Sequence, residues 1–185
     1  MRAFIAIDLD RPLKKNLEAL ITELQPKGKN VRWVSTEAMH LTLKFLGEIA
    51  DQDVALITDV LENIVKNHRP FTLRLQGTGF FPPGRKDPRV LWVGAQGDSS
   101  LQVLQEDVES AMEKLGFARE KREFHPHLTL GRVKFSSRLE PLLLELEKHK
   151  ETAFGEMQVR RVTFFKSTLR PAGAEYTVLS EFQLR

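Results

Sequence analysis

Hydrophobic and polar positions alternate in several short stretches of this chain and recur at helical spacing in others. Residues 2–9 carry Phe4, Ile5, Ile7 and Leu9 among small residues, which predicts a strand. Asp10 then stands as a helix N-cap with Pro12 in the first turn, and Leu13, Leu17, Leu20, Ile21 and Leu24 follow at helical spacing. A Pro-Lys-Gly-Lys-Asn run at 26–30 breaks that helix. A short strand is predicted at 31–34, a turn at 35–39, and a strand at 40–46 closed by Gly47. Asp51 is placed as the cap of a second helix carrying Val54, Ile57, Leu61, Ile64 and Val65.

The second half repeats this alternation of element types. Strands are predicted at 71–75, 90–93 and 127–133, with a Pro- and Gly-rich loop at 80–88. Asp98 or Ser99 opens a third helix, with Leu101, Leu104, Val108, Met112 and Leu115 on one face and Gly116 as its stop. A fourth helix is expected at 136–150, and closing strands at 159–165 and 176–184. Strands with one apolar side suit antiparallel sheet with one covered face. No low-complexity linker divides the chain. The expectation is an α+β fold: a single domain over residues 1–185, with two similar lobes of antiparallel sheet and outer helices around a central cleft.

Two of the predicted strands open on the same tetrapeptide. His-Leu-Thr-Leu occurs at 40–43 and again at 127–130, and these two copies use two of only five histidines. In a strand, residues i and i+2 share a face. Each copy therefore turns its leucines to a core and presents His40 with Thr42, or His127 with Thr129, on the other side. Packing requires the leucines but not the repeated polar pair, so the repetition points to a shared site. By simple alternation Lys44 joins His40 and Thr42, and Phe45 turns to the core. Arg132 falls on the leucine side, but Gly131 before it is a position where a bulge would re-aim the next side chain. His125 has the parity of His127 and reads as a surface histidine at the strand entry.

Composition narrows the chemistry. There are 28 Lys+Arg against 25 Asp+Glu, a net charge of +3, which admits an anionic substrate without demanding one. Cysteine is absent, which excludes thiol nucleophiles and thiolate metal sites. The N-terminus lacks the apolar run of a signal peptide, and no stretch is long enough to span a membrane. A cytoplasmic monomer is the expectation. His40, His125 and His127 could in principle ligate zinc, but carboxylates to orient them are missing from the motif strands, so no metal and no cofactor are expected. His68 and His149 read as solvated or capping residues at helix ends. Trp33 reads as core rather than a stacking surface. Phe80 and Phe81, beside Arg85 and Lys86, suit either a nucleic-acid contact or a buried loop anchor.

Two imidazoles titrating near neutrality can supply the base and the acid that phosphodiester hydrolysis needs, and threonine hydroxyls can hold the non-bridging oxygens. With these residues the chain resembles the two-histidine phosphoesterase superfamily, marked by a pair of His-x-Thr-x motifs. Within it, the chain is similar to the RNA 2′,3′-cyclic phosphodiesterases, also described as 2′-5′ RNA ligases. The similarity runs through the opening Arg2-Ala3-Phe4-Ile5-Ala6-Ile7, the run from His40 to Gly47, the run from Pro126 to Arg132, and Ser167-Thr168-Leu169-Arg170-Pro171 with Gly173 and Tyr176. The resemblance implies the bilobal two-histidine phosphoesterase fold and metal-free opening of a terminal 2′,3′-cyclic phosphate on RNA to a 2′-phosphate. It implies His40 as the acid for the leaving O3′ and His127 as the base for water. It implies Thr42 and Thr129 as phosphate holders, with Arg132 as a supporting cation. The same pair run in reverse would join RNA ends through a 2′-5′ bond. Non-catalytic binding of RNA ends and metal-dependent hydrolysis are the remaining alternatives.

Overall fold

The computed structural model describes residues 1–84 and 87–185; Arg85 and Lys86 of the aromatic-basic loop lie outside the described residues. The chain runs β1 (Arg2–Asp8), α1 (Arg11–Leu24), β2 (Val31–Trp33), β3 (His40–Glu48), α2 (Asp53–Val65), β4 (Phe71–Phe81) and β5 (Val90–Gln96). It continues through α3 (Ser99–Lys114), β6 (His127–Val133), α4 (Glu140–Lys148), β7 (Ala153–Val159), β8 (Arg161–Arg170) and β9 (Gly173–Gln183). The strands form two antiparallel sheets, ordered β3-β1-β8-β9 and β2-β6-β5-β4-β7. With the four helices this is the expected α+β architecture. Among the described residues no helix is long and apolar enough to cross a membrane.

Local chemistry sets the helix starts. The Asp10 carboxylate accepts from the Leu13 amide at 3.0 Å, and the Asp98 carboxylate accepts from the Ser100 amide at 2.8 Å. The apolar stripe of α1 is buried from Leu13 to Leu24, each leucine contributing roughly 1.5–3 kcal/mol by leaving water. Asp51 does not cap α2. That helix begins at Asp53, whose carboxylate accepts from the Ala50 amide at 3.2 Å. The fourth helix starts at Glu140 rather than 136, with Pro141 in its first turn. Strand β4 runs to Phe81, into the stretch expected as loop. Strand β7, whose few apolar residues gave no signal, pairs along β4 from Phe71↔Val159 to Gln76↔Ala153.

The centre of each sheet positions its motif strand. Ala3, Ile5 and Ile7 of β1 enter the main core, which is continuous with residues of the second sheet. Phe4 and Ala6 point the other way and form a small second apolar cluster with Phe165, against which Tyr176 packs. Covered on both faces, β1 reads as an almost unbroken apolar run. Strand β3 lies against β1, and β6 lies against β5 in the same relation.

Candidate active site

Both motif strands carry a β-bulge at the same residue of the tetrapeptide. In β3 the partners run Ala6↔Thr42 and then Ile5↔Lys44, so Leu43 is the extra residue. In β6 they run Trp92↔Thr129 and then Leu91↔Gly131, so Leu130 is the extra residue. A bulge inverts the facing of everything beyond it. His40 and Thr42, and likewise His127 and Thr129, are half-buried on one face, while all four motif leucines are buried. After the bulges the equivalent positions are Lys44 with Gly131, turned inward, and Phe45 with Arg132, turned outward.

The inversion corrects one expectation and supplies the reason for another. Lys44 does not share the face of His40. It is 4% exposed, and its ammonium lies 2.5 Å from Glu109 of α3 and donates to the Ala118 carbonyl at 2.6 Å. Phe45 does not turn to the core but is 68% exposed. In β6 the bulge suspected at Gly131 is present and carries the exposed Arg132 to the face of His127 and Thr129. Gly131 itself has no room for a side chain. A Cβ there would lie 2.5 Å from Val31 Cγ1 and 3.1 Å from the Arg32 carbonyl, because β2 packs across it.

The two imidazoles are held in the same way. His40 Nδ1 lies 2.9 Å from the Ala38 carbonyl, and His127 Nδ1 lies 2.6 Å from the His125 carbonyl. A carbonyl only accepts, so each Nδ1 carries the hydrogen and each Nε2 is left for proton exchange. His125 thus contributes its backbone; its own ring is exposed, 3.9 Å from Glu123.

Their surroundings differ. The His40 ring stacks on Phe4 with centroids 4.5 Å apart and meets the edge of Tyr176 at 5.0 Å. This apolar wall strips water from the ring. Burial is the largest influence and lowers its pKa to about 4, against the opposing pull of the Ala38 hydrogen bond and the Asp8 charge. His40 is therefore neutral at pH 7. His127 is bordered by Phe81, edge-on at 5.1 Å, which itself meets Trp92 at 5.5 Å.

Electrostatics tie the two sheets together. Burial raises the pKa of the Tyr176 hydroxyl, and the Arg132 guanidinium, on the other sheet, is close enough to pull it back down. Tyr176 touches His40, and Arg132 lies on the strand of His127, so both motifs face one cleft. Arg32 of β2 was not singled out from the sequence. It is the cross-strand partner of Arg132 in the β2–β6 ladder, and both side chains are exposed on the cleft face. Like charges directly opposite repel, and an anion between them would relieve that cost. No sequence signal marks Arg32, since its importance comes only from register.

Other candidates fall elsewhere. Trp33 packs on the core, its indole donating to the Gly28 carbonyl at 3.3 Å. His149 is the C-cap residue of α4, as the capping reading has it, and its ring lies 2.8 Å from Glu23; His68, just beyond the end of α2, lies 2.9 Å from Asp107 rather than being simply solvated. Among the described residues, the three imidazoles entertained as a zinc set do not bring their nitrogens within 4.8 Å of one another. Only Glu23, Glu145 and His149 converge so closely, and Glu145 there is already bound by Lys27 and Lys148. A cavity of about 460 Å³ lies between α2 and α3, lined by Asn63, Asn67, Asp107 and Lys114, and includes no motif residue.

Comparison with known proteins identifies the family and the fold. A family model described as the 2′-5′ RNA ligase superfamily matches residues 13–170. A Thermotoga maritima protein named RNA 2′,3′-cyclic phosphodiesterase is 36% identical, over 99% of this chain and 95% of its own length. Among solved structures, TT0787 of Thermus thermophilus superposes with a TM-score of 0.86 at 29% identity, covering 100% of this chain and 98% of that one. Escherichia coli LigT complexed with 3′-AMP superposes with a TM-score of 0.82 at 26% identity, covering 99% and 97%.

Proposed function

This chain belongs to the 2′-5′ RNA ligase superfamily, and we propose that it hydrolyses a terminal 2′,3′-cyclic phosphate on RNA to a 2′-phosphate, using His40 and His127 and no metal. The observation that carries this reading is the twin bulged His-Leu-Thr-Leu strand, each imidazole fixed through Nδ1 by the carbonyl two residues before it. The relatives' shared name, RNA 2′,3′-cyclic phosphodiesterase, supports the substrate.

In the proposed reaction His127 Nε2 takes a proton from water as the water oxygen attacks phosphorus. The P–O3′ bond breaks, and His40 Nε2 gives its proton to O3′, leaving a 3′-hydroxyl and a 2′-phosphate. Thr42 and Thr129 donate to the non-bridging oxygens, while Arg132 and Arg32 balance their charge. With its pKa lowered to about 4, His40 is neutral at pH 7, so the acid role requires the charge of the anionic phosphate beside it. A negative charge beside the ring favours its protonated form. The order is substrate, then proton.

The direct test is to incubate the protein, with EDTA present, with an RNA ending in a 2′,3′-cyclic phosphate and to identify the product. Accumulation of the 2′-phosphate is the expected result; an unchanged end, or a 3′-phosphate, overturns the proposal. The pH profile tests the order of events. Rates should rise and then fall with pH, the two limbs belonging to the coupled pair. The falling limb should lie at higher pH in kcat than in kcat/KM, since only kcat reports the phosphate-bound cleft. A single plateau at high pH abolished by EDTA would instead indicate a metal-bound hydroxide.

A further inference from the structure

We propose that Asp8, held in place by Lys14, is a positioning residue that assigns the acid role to His40 rather than to His127. This deepens the function proposed above and rests on it. Up to their bulges, the two motif strands pair with an inner strand in the same way, so each motif residue has one cross-strand neighbour on its own face. Ala6 stands opposite Thr42, and Trp92 opposite Thr129. One pair further, Asp8 stands opposite His40, and Gly94 opposite His127. One imidazole thus has a carboxylate as its neighbour, and the other has a residue without a side chain. The glycine is enforced: a Cβ there would lie 2.6 Å from the Gln76 carbonyl.

The carboxylate is oriented from two sides. Asp8 Oδ1 accepts from the Leu9 amide at 2.9 Å and lies 3.1 Å from the Lys14 ammonium. Lys14 is the unusual partner. Its side chain is 13% exposed, in a residue type that ordinarily reaches water. It stands near the N-terminus of α1, where the helix dipole disfavours a cation. Helix stability therefore gives no reason to bury an ammonium there. That ammonium also donates to the Glu37 carbonyl at 3.3 Å, one residue before the Ala38 carbonyl that fixes His40 Nδ1. Burial outweighs both charges at the ring, but they act in opposite senses: Asp8 favours the imidazolium and Lys14 opposes it. On its other sides the ring meets Phe4, Phe165 and Tyr176, with Arg132 beyond Tyr176; Glu37, on the turn, is exposed. With Nδ1 closed by a carbonyl, Asp8 acts through space and leaves Nε2 to give its proton to O3′. When the anionic phosphate arrives, its charge and that of Asp8 pull the same way at His40. At His127 no carboxylate stands opposite, and Arg132 shares the face. The proton therefore settles on His40, and His127 stays neutral to accept one from water.

Two variants of opposite charge sign test the assignment on the full chain. In Lys14→Met the carboxylate is unopposed, and NMR titration of the histidines should find His40 above its native value of about 4, with His127 unmoved. Lys14→Arg, which keeps the charge, should return the native titration. In Asp8→Asn the carboxylate is gone. On an RNA ending in a 2′,3′-cyclic phosphate, kcat at pH 7 should then fall about tenfold with KM nearly kept. The falling limb of kcat should move to lower pH by about one unit, the scale of one neighbouring charge. Loosening of the turn would instead wet the ring and raise its titration in both variants, so opposite signs distinguish charge from packing. An unmoved His40 in Lys14→Met, or a kcat limb in Asp8→Asn that stays in place or moves upward, would overturn the assignment while leaving the hydrolase intact. A native protein that does not cleave this end would overturn the function and the assignment with it.

Discussion

The two motif strands share a tetrapeptide, a bulge and a carbonyl clamp, yet their neighbourhoods differ in one respect: β3 is the edge of its sheet, whereas β6 is flanked by β2. At the edge, the inward position after the bulge has open space, so Lys44 can reach across to α3. Beside β2 the same position admits only Gly131. The outward position follows suit, apolar Phe45 in one lobe and cationic Arg132 in the other. His40 sits against Phe4 and Tyr176, while His127 has Phe81 at its edge. A duplicated motif has thus been given two environments, which is what a reaction needing one acid and one base requires.

The largest effects should come from the element the lobes share. His40→Ala and His127→Ala are each expected to lower kcat by roughly 10²–10⁴-fold in a folded protein. Near-native turnover in either would break the symmetry of roles on which the reading depends. The next largest effect belongs to one lobe alone. Lys44→Met leaves Glu109 buried and unpaired and should cost about 3–5 kcal/mol in chemical denaturation, with much of that recovered in Lys44→Met/Glu109→Leu, where no charge remains. A mutant as stable as the native chain would mean that the pair is not the anchor of the bulge.

Acid titration separates the imidazoles more finely. The folded pKa of His40, about 4, lies below its unfolded value of about 6.5. Between these values the unfolded chain binds a proton that the folded ring refuses, so stability falls as pH drops through that window, by at most about 3.4 kcal/mol. In His40→Asn that part of the slope should vanish; an unchanged slope between pH 6.5 and 4 would show that the aromatic wall does not dry the ring. Smallest should be the hydroxyls. Thr42→Val and Thr129→Val are each expected to cost about 1.5–3 kcal/mol in kcat/KM, and a silent mutant would move the phosphate away from that strand.

Sequence patterning conveyed the helices well, because the stripes of α1 and α3 and the caps Asp10 and Asp98 are local properties. His40, Thr42, His127 and Thr129 were legible for a similar reason: alternation holds up to the bulge. Beyond Leu43 it fails. Nothing in the string Leu-Lys-Phe says that its lysine will be buried, because the extra residue is defined only against β1. Gly131 gave that warning in the second strand, and no glycine gives it in the first. Arg32 escaped notice because its cross-strand partner, Arg132, is distant in sequence. Strand β7 was missed because it contacts the core through few side chains.

The bulges have one more consequence, for the way copies of this chain meet each other. An edge strand such as β3 offers unpaired amides and carbonyls on which a second chain can extend the sheet, the first step of strand-mediated aggregation. Here the ladder is interrupted twice, at Leu43 and at Leu46, and the Leu43 carbonyl is occupied by the Gln105 amide at 3.4 Å. The free side of β3 is thus left without a continuous row of bonding groups. The irregularity that turns Phe45 and Lys44 around also protects the edge against self-association.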